Sequence, residues 1–241
     1  AISEKTKVLL LNSPSNPTGA EYSTAEMQEI ATVLKDNPGI VVISDDIYNQ
    51  LSFNQTGLSP HLLNVAPDLF DRCISINGMS KAYAMTGWRI GWAVGPEPVI
   101  KAMGSFQSQT TGASSSISQW ASVAAISDCK QDVDQALVTL KERKKKALDL
   151  FAQVPGFNVF EPQSAFYWWN NLTEWMNKTY NGETITDSRK LAALLLEEEK
   201  LAVVPGVEFG LEGYLRLSFA ASTKDLEEAT NRLVRFQQAL S

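Results

Sequence analysis

Three short apolar runs constrain this chain more than any other feature. Residues 7–12 read K-V-L-L-L-N, residues 40–44 read I-V-V-I-S, and residues 72–77 read R-C-I-S-I-N. Runs this short, aliphatic and closed by polar or turn-forming residues, read as buried strands of a parallel sheet. Between the first two, Thr24 opens a pattern with Glu26, Met27, Ile30, Ala31 and Leu34 at helical spacing, and Asn37-Pro38-Gly39 stops it. Strand, helix, strand in that order predicts a right-handed parallel crossover, and hence an α/β fold.

Further along, residues 90–94 read as a fourth strand and a helix starts near residue 98. Residues 118–151 are helical, with a polar break near 128–132. The basic run K-E-R-K-K-K at 141–146 lies inside that pattern and reads as a solvated helix face. After Pro155-Gly156 the composition changes. Strands are expected at 157–160, 165–169, 201–204 and 214–219, with helices at 188–200 and 224–240. The expected organisation is a sheet domain flanked by helices over 1–117, then a connecting helix and a smaller α+β domain over 118–241.

Composition excludes several function classes. The net charge is -6 with a pI near 5.0, so there is no basic footprint for nucleic acid or an anionic membrane surface. No apolar run reaches the length of a membrane span. The two cysteines, Cys73 and Cys129, have no metal-ligand spacing, and a single histidine, His61, rules out a multi-histidine metal site. Cys73 sits in an apolar run and reads as a small buried hydrophobe. Sequons at Asn54, Asn171 and Asn177 read as chance matches, and the expected compartment is the cytoplasm. The chain opens on Ala1 and reaches a strand almost at once, as a piece of a longer protein would.

Three polar groups stand just past the ends of the apolar runs: Asn16, Asp45 and Lys81. Ligands of open α/β sheets bind outside the carboxyl ends of the strands. Lys81 lies among small and apolar residues, where desolvation favours the neutral, nucleophilic amine. Arg89 follows eight positions later and is suited to a phosphate. Singly, each has a plain structural reading: a surface lysine, a helix N-cap for Asp45, a turn residue for Asn16.

Together they sit in four motifs: N-S-P-S-N-P-T-G (12–19), V-I-S-D-D-I-Y (42–48), S-K-A-Y-A-M-T-G-W-R-I-G-W (80–92) and Y-L-R-L-S-F-A (214–220). In order and spacing the chain resembles the pyridoxal phosphate-dependent aminotransferases of fold type I, class I/II, and most of all their bacterial aspartate aminotransferase branch. The resemblance covers all of this chain but lacks the family's N-terminal third. It implies a homodimer acting on an amino acid and a 2-oxo acid, with aspartate and 2-oxoglutarate as the best-matched pair.

The resemblance also implies roles. Lys81 matches the lysine that binds the cofactor as a Schiff base and then shuttles a proton. Asp45 matches the carboxylate paired with the pyridine nitrogen, with its neighbour Asp46 a competitor for that role. Tyr48 and Asn16 match the donors to the ring oxygen. Arg89 matches the phosphate-binding arginine, with Ser80 adding a hydroxyl, and Arg216 matches the clamp for the substrate carboxylate, with Asn16 a second substrate-binding residue. Phe166 and Tyr167 match an aromatic lining segment, while Trp88, Trp168 and Trp169 read as packing. Gly78 departs from the pattern, for many relatives carry Ser or Thr three residues before the lysine. Other pyridoxal phosphate enzymes (aromatic or alanine aminotransferases, β-lyases) would use the same lysine and arginine. A non-catalytic ligand-binding module of the same fold would keep them without turnover.

Overall fold

The computed structural model describes residues 1–241, except for the side chain of Val159. The chain divides into two compact units. The first comprises Ala1–Ser15 and Ala20–Leu137, the second Asn16–Gly19 and Val138–Ser241. The division falls inside a long helix.

In the first unit, β1 (Val8–Asn12), β2 (Val41–Asp45), β3 (Cys73–Gly78) and β4 (Gly91–Val94) form one sheet in that order. The first three strands are parallel, and β4 runs antiparallel to β3. The register sets Asn12 opposite Asp45 and Gly78 opposite Gly91, so the polar ends of the apolar runs lie side by side. Helix α1 (Thr24–Asp36) starts at a capping box in which Ser23 and Glu26 bond each other's backbone N–H. Its inner face, Met27, Ala31 and Leu34, packs with Leu11, Val42 and Cys73 from the sheet and Leu62 from the short helix α2 (Leu62–Val65). The guanidinium of Arg72 closes the other end of α1. It donates to the carbonyls of Leu34 at 2.6 Å, Ile40 at 2.8 Å and Asn37 at 3.0 Å, which sets a cation at the negative end of the helix.

The expectation of strands buried on both faces holds for one face only. Leu11, Val42 and Cys73 are buried beneath the helices, while their alternates Val8, Leu10, Val41, Ile76, Trp92 and Val94 are exposed. Helices α3 (Glu97–Thr110) and α4 (Ser116–Asp128) follow, then α5 (Lys130–Phe151), which crosses into the second unit. In α4 the usual order is reversed. Ser118, Ser122 and Ala125 are buried, Ser122 Oγ donating back to the Ser118 carbonyl, whereas Ile117, Trp120, Val123 and Ile126 are exposed.

Cys73 has no exposed surface and behaves as the small hydrophobe its context suggested. Burial, with the negative charge of Asp46 adding to it, pushes its thiol up to about 11 from an ordinary 9.0. The unfolded chain loses that proton first as pH rises, so stability is untouched below about pH 9 and falls between about pH 9 and 11. The loss is on the order of 3 kcal/mol. Urea unfolding across that range should show the fall in the native chain and flatten it in Cys73→Ala.

The second unit carries an antiparallel sheet ordered β5 (Asn158–Val159), β6 (Tyr167–Asn171), β10 (Tyr214–Ser218) and β9 (Val204–Pro205). A small hairpin, β7 (Thr179–Tyr180) and β8 (Glu183–Thr184), stands apart. Helices α6 (Ser188–Glu199) and α7 (Thr223–Gln238) start at side-chain caps, Asp187 and Ser222. The core is aromatic. Trp168 packs edge-on against Phe151 at 4.7 Å between ring centres and against Phe219 at 5.1 Å, and Tyr180 stacks on Phe236 at 4.3 Å. The strand expected at 201–204 shrinks to Val204–Pro205. Lys200 turns left-handed to end α6, and the Leu201 N–H is spent on the Leu195 carbonyl. No helix among the described residues is long and apolar enough to cross a membrane.

Candidate active site

The turn after β2 carries two of the expected site residues. Asp45 ends the strand, and its carboxylate accepts from Asn12 Nδ2 at 3.0 Å and from the Ile47 N–H at 3.3 Å. No helix follows, so the plain reading of Asp45 as an N-cap does not apply. The β1–β2 register sets Asn12 beside it, a contact that sequence reasoning missed. Tyr48 is buried at the other end of the turn, where the Asn49 N–H closes back on the Asp46 carbonyl at 2.9 Å.

Asp46 is also buried and is engaged by this chain's own side chains. Ser44 Oγ donates to it at 2.7 Å, His61 Nε2 bonds it at 3.0 Å, and Ser75 Oγ donates to it as well. Of the two neighbouring carboxylates, Asp45 is the less occupied.

Lys81 sits in residues 79–90, the connection between β3 and β4. That loop is tied at its ends. The Met79 N–H donates to the Ile90 carbonyl, the Met85 N–H to the Met79 carbonyl, and the Met79 side chain is fully buried. Lys81 itself is partly buried, with Nζ over the ring of Tyr48 at 5.7 Å from its centre. Ser80 lies beside it, its carbonyl accepting from Thr86 Oγ1. Arg89 adopts a left-handed conformation and is exposed, with Nη1 donating to the Thr86 carbonyl at 3.0 Å. The structure brings Lys81 and Tyr48 together, and it places Arg89 at the far end of the same loop.

Gly78 has a packing reason. A Cβ there would lie 2.9 Å from the Ile90 carbonyl oxygen and 3.2 Å from the Gly91 Cα, so no side chain fits without moving the β3–β4 pair. Its N–H is already taken by Asn77 Oδ1 at 2.7 Å. Trp88, read as packing, is exposed at 44% at the end of the short turn Thr86–Trp88, while Trp168 and Trp169 are buried as expected.

In the second unit, Arg216 projects from the middle of β10. Its Nη1 donates to Asn16 Oδ1 at 2.6 Å, and its guanidinium lies 4.5 Å from the ring centre of Tyr167 and 5.1 Å from that of Phe209. Arginine stacks on aromatic faces and keeps its planar fork oriented. Phe209 was not foreseen. It lies in the turn Gly206–Phe209, and only the backbone path from β9 brings it to the guanidinium. Asn16 belongs with the second unit because Gly19 is held there, its carbonyl accepting from Ser164 Oγ and from the Gln163 and Ser164 N–H groups.

The donor set suits pyridoxal phosphate. A carboxylate suits the pyridine nitrogen, a phenol the ring oxygen, a primary amine the aldehyde and a guanidinium the phosphate, and all four are in the first unit. No grouping of His, Cys, Asp and Glu among the described residues could hold a metal ion.

Comparison with known proteins places the chain in a family. The family described as aminotransferase class I and II matches residues 1–233. A Rickettsia bellii protein named "Probable aspartate/prephenate aminotransferase" is 45% identical over 236 residues, covering 97% of this chain and 59% of that protein. A Streptomyces avermitilis aspartate aminotransferase is 41% identical over 233 residues, covering 97% of this chain and 57% of its own length. The crystal structure of the aspartate aminotransferase from Rhizobium meliloti superposes with a TM-score of 0.93 at 37% identity, over 100% of this chain and 60% of that one. The chain thus spans about three fifths of the relatives it matches, and its architecture is that of fold type I.

Proposed function

Because this chain belongs to the class I and II aminotransferases, we propose that it supplies the covalent and carboxylate-binding machinery of a pyridoxal phosphate-dependent amino transfer. The pair we assign is aspartate and 2-oxoglutarate. The observation that carries the reading is the pairing of Lys81 with Tyr48 in one unit and of Arg216 with Asn16 in the other, each on the residues that the four motifs mark.

Bound pyridoxal phosphate supplies an electron-poor ring that takes up the electron pair released at the substrate α-carbon. Asp45, held by Asn12, keeps a proton on the ring nitrogen, and Tyr48 donates to the ring oxygen. Arg89 and Ser80 bind the phosphate. The Lys81 amine, once free, takes the α-proton and returns it on the other side of the transfer. Arg216 binds the α-carboxylate through its planar fork, oriented by Asn16 on one edge and Tyr167 and Phe209 on its faces.

Aspartate as donor is supported by the names of the R. bellii and S. avermitilis relatives, and prephenate in the first of these names makes it the acceptor to test beside 2-oxoglutarate. The working form we assign is a homodimer. The compartment is the cytoplasm, where free thiols such as Cys73 and Cys129 persist.

The test is incubation with pyridoxal phosphate, aspartate and 2-oxoglutarate. Oxaloacetate and glutamate should form in equal amounts. Pyruvate and ammonia released without any acceptor would replace this reading with a lyase. Arg216→Lys keeps the charge and loses the fork, so KM for both substrates should rise about tenfold to a hundredfold. Initial rates at varied aspartate check this.

A further inference from the structure

We propose that Asp46, clamped by His61, is a positioning residue that holds the turn on which Asp45 and Tyr48 are presented. Every polar group of Asp46 has a partner. Its N–H donates to the Ile76 carbonyl at 2.8 Å, continuing the β2–β3 ladder one residue past the strand, and its carbonyl accepts the Asn49 N–H at 2.9 Å. Its carboxylate receives Ser44 from its own strand, Ser75 from β3 and His61 from the loop ahead of α2. Five contacts from three parts of the chain converge on the residue that separates Asp45 from Ile47 and Tyr48.

The imidazole is oriented as firmly as the carboxylate. The Leu63 N–H donates to His61 Nδ1 at 3.1 Å, because His61 is the N-cap of α2. An accepting Nδ1 carries no proton, so the ring proton is on Nε2 and points at Asp46 Oδ2. The buried Cys73 thiol, close enough to feel the charge of Asp46, holds its proton through the neutral range, and the neighbouring Asp45 carboxylate is bonded to Asn12 and the Ile47 N–H. A carboxylate 3% exposed would be costly without such donors. With them it is a rigid post, and side chains on either side of a rigid post keep their aim.

The bearing of this clamp on catalysis rests on the reading of Asp45 and Tyr48 given above, so two measurements are made on the same variants. Amide hydrogen exchange at Asp46 and Asn49 reports the turn without any cofactor. The pH midpoint of the visible absorbance of bound pyridoxal phosphate reports how well the ring is held. In His61→Leu, exchange at both amides should quicken about tenfold and the midpoint should rise by about one pH unit. His61→Gln puts an amide N–H where Nε2 stood, and should restore both. Ser75→Ala removes a smaller donor and should move both the same way by less, which keeps the test open should the leucine variant fold poorly. Exchange in His61→Leu equal to that of the native chain, or no rescue by glutamine, overturns the clamp. Quickened exchange with an unmoved midpoint overturns its role in holding the ring. A native chain that gives no cofactor absorbance defeats the assignment of Asp45 and Tyr48, while exchange still decides the clamp.

Discussion

Lys81→Ala is expected to leave the chain folded and the cofactor without a covalent anchor. The visible absorbance that pyridoxal phosphate gives with the native chain will be lost. Borohydride should fix the cofactor to the native chain and none to the variant. Amino transfer will fall by about a thousandfold or more, because the proposed mechanism gives one amine the work of both nucleophile and proton carrier, and general acid–base transfer alone is worth about 10² to 10⁴. The fold should tolerate the change. Lys81 is only partly buried, and the loop is anchored by Met79 and its backbone bonds to Met85 and Ile90, none of which uses the lysine side chain. A melting temperature within a few degrees of native, together with lost absorbance, separates a chemical defect from an unfolded one. Persistent absorbance with cofactor still fixed by borohydride would show that another amine does the work.

The largest expected loss of stability lies elsewhere, at Trp168. Its ring has no exposed surface and touches Phe151 and Phe219. Trp168→Ala leaves a cavity that this aromatic cluster cannot close, and should cost about 3–5 kcal/mol in urea unfolding. Trp168→Phe should cost far less, within about 1 kcal/mol. The smaller ring loses packing, but the indole N–H has no acceptor among the described residues, and deleting a buried donor without a partner recovers part of its desolvation penalty. Equal losses for the two variants would mean that the indole N–H, not ring volume, matters at this site.

The elements closest to their sequence expectations are those whose signal is local. Residues 7–12, 40–44 and 72–77 are bounded apolar runs, and they became β1, β2 and β3 with ends shifted by a residue or so. Helix α1 was legible from Thr24 to its Asn-Pro-Gly stop because spacing and cap lie within one stretch. The direction of β4 was not legible, since an antiparallel return through residues 79–90 is a property of the loop's closure on Met79 and not of any window of sequence. The reversed α4 was also beyond reach, because a helical period shows that a stripe exists and not which side the protein covers. Among the site residues, Lys81, Asp45 and Arg216 stood out through their motifs. Asn12 and Phe209 depend on register and on a turn, and the clamp on Asp46 depends on a histidine fifteen positions downstream that no motif ties to it.

The adjacency of Asp45 and Asp46 carries a further consequence. Successive residues of a strand face opposite ways, so these two identical side chains differ only in which side of the sheet they meet. Were β2 to slide by one residue so that Asp46 came opposite Asn12, the place of Asp46 beside Ser75 would fall to Ile47, an apolar side chain among polar donors. A slide the other way would set Ser44 opposite Asn12. Either slide would also draw Val42 from beneath α1. The duties of the two carboxylates are therefore held by the residues that flank the pair, Ser44 before it and Ile47 after it.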